Sequence, residues 1–202
     1  MKQFDGITPE QVRRSLSTDA NRDSIFKAKE SAGKSGSFFF FSYDRKFLIK
    51  TMNSSELKLF RESLPFYLLH LRDNPDSLIA RIYGIFTVQM EDIAPVNLLL
   101  MANCCQAGKD IQYVFDLKGS TINREEKNAE AGTFKDVNLT KLIKKEAFLK
   151  FQQGDMVSII RRMREDVKFL CSNYIMDYSL LLVIEVNKDW TDRRKRRVKK
   201  KE

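Results

Sequence analysis

Between Met156 and Asn173 the apolar residues Val157, Ile160, Met163, Val167 and Leu170 recur every three or four positions, whereas Leu180 to Val186 is a continuous apolar run broken only by Glu185. The first pattern predicts a helix with one buried face, and the second predicts a strand. Between them lies Ile175–Met176–Asp177–Tyr178–Ser179, which places one carboxylate, Asp177, at a helix-to-strand junction. A loop held by two buried elements is where a catalytic acid can be placed rigidly, although an arbitrary aspartate in such a loop more often satisfies a turn.

With 202 residues, 43% of them hydrophobic, the chain is large enough for one sizeable domain or two small lobes. No apolar run approaches the roughly 20 residues that a membrane-spanning helix needs, and the first residues lead into no signal-peptide core, so a cytosolic protein is expected. Cys104 and Cys105 are adjacent, Cys171 is alone and His70 is the one histidine, a set that supports neither a disulfide framework nor a zinc site. The net charge of +9 is concentrated near the end of the chain, where residues 188–202 carry nine Lys or Arg against three acids. The run Arg193, Arg194, Lys195, Arg196, Arg197 is compatible with a membrane-surface patch, an import signal, an RNA-binding arm or a solvated segment. It has no interleaved aromatics on which bases could stack, which disfavours nucleic acid.

Thr8, Pro9 and Gln11 predict a helix start with a capping box, running to about Leu16 and followed by a polar break over Ser17 to Asp23. A hairpin is expected from Ser37–Ser42 and Phe47–Thr51, with four consecutive phenylalanines filling both faces of a buried strand. The loop Gly33–Lys34–Ser35–Gly36 before it either turns tightly or lets the backbone present N–H groups to phosphate. Lys50 ends the second strand in apolar surroundings, where an ammonium needs an anion. Ser54 or Ser55 is expected to cap the next helix, whose buried stripe is Leu57, Phe60, Leu64, Tyr67 and Leu71 and which Pro65 should kink or divide. His70, near its end, reads as a packed or exposed histidine. Two further strands, Leu78–Val88 and Val96–Met101, flank a polar insertion at Glu91–Pro95. Gln112–Phe115 is a strand leading into a charged turn, Asn123–Thr133 a mobile loop, and Leu139–Phe151 a helix.

Gly33–Ser37, then Asp116–Leu117–Lys118–Gly119–Ser120, then Ile175–Met176–Asp177–Tyr178–Ser179–Leu180–Leu181–Leu182 occur in that order. Together they resemble the phosphatidylinositol phosphate kinases, lipid kinases distantly related to protein kinases, over about Ile7 to Val186. The resemblance implies an α+β, two-lobed fold with an antiparallel-sheet N-lobe and a partial C-lobe. It divides the chain into an N-terminal helix (1–24), an N-lobe (25–110), a partial C-lobe (111–187) and a polybasic tail (188–202). It further implies ATP and Mg2+ as cofactors. Gly33, Ser35 and Gly36 would cradle phosphate, Lys50 would contact the α/β-phosphates with Glu56 as its partner and Glu62 as second choice, and Met101 would lie in the adenine-reading hinge. Lys118 would neutralise phosphate, and Asp177 would orient or deprotonate an inositol hydroxyl.

The substrate implied is a phosphatidylinositol monophosphate, first of all the 4-phosphate at its 5-position, with other branches of the family left open. The location implied is cytoplasmic, peripheral on an anionic membrane surface through residues 193–197. The chain departs from the protein-kinase pattern at Leu182, where an asparagine would stand, and it contains no counterpart of the family's later metal-binding aspartate or activation loop. The metal ligands therefore stay unassigned, and these 202 residues alone are expected to turn over near background. A noncatalytic kinase-fold scaffold that binds other proteins is the competing reading.

Overall fold

The computed structural model describes residues 6–26, 37–105, 111–128, 130, 132–146 and 152–185. Both the glycine loop at 33–36 and the basic run at 193–197 lie outside those residues. The architecture is mixed helix and antiparallel sheet, in two compact units: Met1–Cys104 with Met156–Tyr174, and Cys105–Asp155 with Ile175–Glu202.

In the first unit, helix α1 (Pro9–Ser15) starts on the expected box: Thr8 Oγ1 accepts from the Gln11 N–H and Gln11 Oε1 from the Thr8 N–H. The expected polar break is instead a second helix, α2 (Thr18–Phe26). Its Asn21 is buried, donates to the carbonyls of Ser15 and Ser17 and accepts from the Tyr43 N–H. One amide thus satisfies three backbone groups, which is how a polar segment can face inward.

The sheet has the order β1-β2-β4-β3, from strands β1 (Phe39–Phe41), β2 (Phe47–Met52), β3 (Ile82–Met90) and β4 (Ile93–Ala102). The phenylalanine run does not fill a buried strand, because β1 is a three-residue edge strand, and Phe41 on it and Phe38 just before it stay exposed. The core side chain is Phe47, edge-on to Tyr83. The expected insertion at Glu91–Pro95 shrinks to a two-residue turn with Asp92 at φ 62°. Pro95 falls inside β4, where the register slips by one residue between Val96 and Ile93, a bulge that accommodates a residue with no N–H to give.

Helix α3 (Ser54–Asp73) runs unbroken through Pro65, which removes one N–H from a helix of 20 residues without dividing it. Its N-cap is Asn53 and not Ser54 or Ser55, since Asn53 is the residue in extended conformation and its side chain accepts from the Glu56 N–H. The inward face carries Tyr67 and Leu71 as expected.

Helix α5 (Gln153–Ser172) meets the expectation only in part: Met163 and Leu170 are half-buried. Val157, Ile160 and Val167 are exposed, and the buried residue is Asp166. Its carboxylate accepts from His70 Nε2 at 2.7 Å, Ser77 Oγ at 2.6 Å and the Leu78 N–H at 2.7 Å, and Phe169 stacks on the His70 ring. The first unit is therefore discontinuous in sequence, and a division near residue 110 does not assign α5.

In the second unit β5 (Ile111–Leu117) pairs antiparallel with β6 (Leu180–Glu185), and α4 (Asp136–Glu146) follows the connecting loop. Leu180 and Leu181 are exposed, so β6 is not the buried strand its composition suggests. Phe115 is the buried centre, packed with Tyr113 and Phe134. A shallow apolar cavity lies beside it, lined by Tyr113, Phe115, Phe134 and Leu142.

Candidate active site

Leu117 pairs with Leu180, so the residues leaving β5 and those entering β6 meet at one end of the small sheet. Here Lys118 and Asp177, 59 positions apart, come together. The Lys118 ammonium forms an ion pair with the Asp177 carboxylate and donates to the Asp177 carbonyl at 3.1 Å. Asp177 itself sits at φ 60°, a left-handed conformation that aspartate tolerates better than most residues. Its side chain is 85% exposed, against 25% for Lys118, so the acid projects outward while the cation is held closer in. The hydrogen bond and charge of Lys118, with a smaller contribution from Arg124, hold the Asp177 carboxyl below its ordinary range. It is ionised at neutral pH and free to accept a further hydrogen bond.

Three residues that the sequence did not single out build the turn beneath this pair. Asp136, first residue of α4, accepts from the Lys118 N–H at 3.0 Å and the Gly119 N–H at 2.8 Å through one oxygen, and from Arg124 Nε at 2.8 Å through the other. Arg124 also donates to the Asp116 carbonyl and lies 3.6 Å from the Asp116 carboxylate. Gly119, at φ 71°, supplies the left-handed step the turn requires. Asn138 then clips the loop to α4, accepting from the Glu126 and Lys135 N–H groups and donating to the Glu126 carbonyl. Asn123–Glu126 is thus not the loose loop its composition suggests. Burial raises the Asp136 carboxyl, but Arg124 and the two N–H groups outweigh it and hold the group below its ordinary range. An acid opening an amphipathic run is a helix-start signal, yet nothing local reveals that its oxygens reach residues 17 and 18 positions earlier.

In the first unit Lys50, opposite Leu99 of β4, pairs with Glu56 at 3.1 Å. Glu56 also accepts the Asn53 N–H at 2.9 Å, so the helix cap and the lysine share one carboxylate. Burial raises Glu56, and the Asn53 N–H and Lys50 together more than offset it. The expected pair therefore forms, whereas Glu62 forms no such pair with Lys50. Met101 lies in β4 opposite Leu48 and Ile82, and Asn103 just after it is buried, donating to the Arg45 carbonyl. His70 belongs to the Asp166 cluster.

Residues 20–202 match the family described as Phosphatidylinositol-4-phosphate 5-Kinase. The chain belongs to this family. It is 40% identical over 168 residues to a probable phosphatidylinositol phosphate kinase of Dictyostelium discoideum, which covers 81% of this chain and 23% of the relative. A phosphatidylinositol 4-phosphate 5-kinase of Schizosaccharomyces pombe is 38% identical, over 79% of this chain and 22% of its own length. The human phosphatidylinositol 4-phosphate 5-kinase type-1 beta is 32% identical, over 75% and 28%. The chain thus spans less than a third of the length of these family members. No helix among its described residues is long and apolar enough to cross a membrane.

Proposed function

We propose that the chain carries part of the core of a two-lobed, protein-kinase-related phosphoinositide kinase, which transfers the γ-phosphate of ATP to phosphatidylinositol 4-phosphate at the 5-position. The observation that supports this most is the pairing of Lys118 with an exposed, ionised Asp177 on a braced turn. Phosphoryl transfer asks the protein for positioning and counter-charge more than for covalent chemistry. Asp177 accepts the proton of the inositol hydroxyl as that oxygen bonds to the γ-phosphorus. The bond from the γ-phosphorus to the bridging oxygen breaks, and ADP leaves. Lys118, released from Asp177 or shared with it, offsets charge on phosphate. Lys50, oriented by Glu56, holds the α/β-phosphates, Gly33, Ser35 and Gly36 cradle them, and the backbone around Met101 reads adenine. Mg2+ bound with ATP supplies further charge neutralisation; among the described residues no cluster of three or more ligating side chains forms, so none is assigned to it. The run at 193–197 draws the protein to anionic lipid on the cytosolic face, at about 1 kcal/mol per basic residue.

The test uses MgATP and vesicles containing phosphatidylinositol 4-phosphate. Asp177→Asn should lower kcat at least about a hundredfold with ATP binding retained, and Lys50→Met should remove the thermal stabilisation given by MgATP. Unchanged transfer by a folded Asp177→Asn protein would sink the assignment. Because these 202 residues alone are expected to turn over near background, transfer is assayed in a chain extended to the length of the family members; ATP or lipid binding without transfer there would favour a noncatalytic scaffold.

A further inference from the structure

Lys118 is useful to Asp177 only if its ammonium is aimed, and a lysine stem has four rotatable carbons that solvent alone would leave disordered. The backbone on both sides of Lys118 is instead fixed from a distance. One oxygen of Asp136 takes the consecutive N–H groups of Lys118 and Gly119, which orients the two peptide planes flanking the Lys118 Cα. The other oxygen takes Arg124 Nε, so the carboxylate cannot rotate away, and the Arg124 guanidinium is anchored in turn on the Asp116 carbonyl. The Val137 N–H donates to the Arg124 carbonyl at 3.0 Å, which ties the same arginine to the start of α4. The Asp136 side chain is 12% exposed and that of Arg124 14%, against 85% for Asp177. An enclosed ionic clamp thus stands directly behind an open acid.

We infer that Asp136 is a positioning residue for the Lys118–Asp177 pair, acting through the Lys118 and Gly119 amides and locked by Arg124. This rests on the kinase reading for its role in the reaction, but not for its geometry. Asp136 forms no contact with Asp177 that would let it act on the acid directly; its effect passes through the direction in which Lys118 leaves the backbone. A second device of this kind is absent from the other lysine, since Lys50 is placed by the regular pairing of β2 with β4 and is met by Glu56 from a helix cap. The turn carrying Lys118 has a strand on one side only, and the aspartate does for it what a second neighbouring strand does for Lys50.

The variant Asp136→Asn keeps one carbonyl oxygen for the two amides and turns an NH2 group against the Arg124 Nε–H, so two donors face each other. The readout is the titration of the Asp177 carboxyl, followed by carbon NMR in the intact protein, beside kcat and KM for ATP. Lys118 and Arg124 are the charged groups that face Asp177. Lys118→Met marks the midpoint of an Asp177 without its lysine. Asp136→Asn should raise the midpoint towards that mark and lower kcat about tenfold to a hundredfold with KM for ATP unchanged. Should Asp136→Asn not fold, Asp136→Ser, which keeps a helix-start acceptor, is read in the same way. A folded variant whose Asp177 titrates as in the unmutated protein overturns the inference, whatever happens to kcat, and so does a raised midpoint with kcat intact. If the unmutated protein, extended to the length of the family members, transfers no phosphate, the kinase reading has failed, and the midpoint alone still decides whether Asp136 aims Lys118.

Discussion

Asp166 and Asp136 are both nearly enclosed carboxylates that accept three hydrogen bonds, and they perform opposite tasks. Asp166 gathers His70, Ser77 and the Leu78 amide, all from α3 and the segment after it, onto α5. Its partners end in the packing around Phe169 and Tyr67. Asp136 gathers two consecutive amides and a guanidinium onto a turn, and what emerges from that turn is a lysine aimed at an exposed acid. The same acceptor chemistry therefore closes one part of the molecule and presents another. The difference lies in what the donors are attached to: aromatic and helical scaffold in the first case, a two-stranded sheet end open to solvent in the second.

The comparison is most exposed to failure at Asp166. Asp166→Ala leaves an imidazole, a hydroxyl and an amide without their acceptor and should destabilise the first unit by about 3–5 kcal/mol, read by urea denaturation. A loss below about 1 kcal/mol would show that water replaces the carboxylate and that the two aspartates do not differ as described. Gly119→Ala tests the other side. No atom stands within 4 Å of the added Cβ, so the cost is that of a left-handed backbone alone, about 1–2 kcal/mol. If a relaxed turn is what matters there, the Lys118–Asp177 pair should weaken more than the stability does, visible as a raised Asp177 midpoint.

The smallest expected effect is on acid stability. The folded-state carboxyl of Asp136 is held below its ordinary range, so its contribution is complete above the unfolded value of about 4 and is lost as pH falls through the lower folded value. The stability gap between the unmutated protein and Asp136→Asn should therefore narrow from about pH 5 to pH 2, in urea melts at each pH. A gap that stays constant would mean that Asp136 stabilises the turn equally when protonated.

Local signals were the legible part of the fold. Thr8 with Gln11 wrote a capping box, the inward stripe of α3 followed its period, and the hairpin over residues 37–52 was marked by its turn. The pairing of Lys50 with Glu56, which the family resemblance put ahead of Glu62, also forms, with Lys50 inside β2 and not at its end. One group of misses shares a cause. Asn21, Asn53, Asp136 and Asp166 are polar residues whose side chains satisfy backbone or side-chain donors, and composition alone reads such residues as breaks, loops or solvent-facing surface.

The order of the glycine loop, the DLKGS segment and the IMDYSLL segment was enough, with no coordinates, to place the chain among phosphoinositide kinases and to single out Lys50, Lys118 and Asp177, because such motifs depend on residue identity at fixed positions. The face that α5 turns inward, and the clamp of Asp136 and Arg124 beneath Lys118, were decided by tertiary structure. Periodicity ranks faces by hydrophobicity, and an inward aspartate reverses that ranking once three donors converge on it. Contacts across 12 to 18 positions in an irregular loop have no period to follow, so only the folded chain brings residues 118, 119 and 124 to one carboxylate.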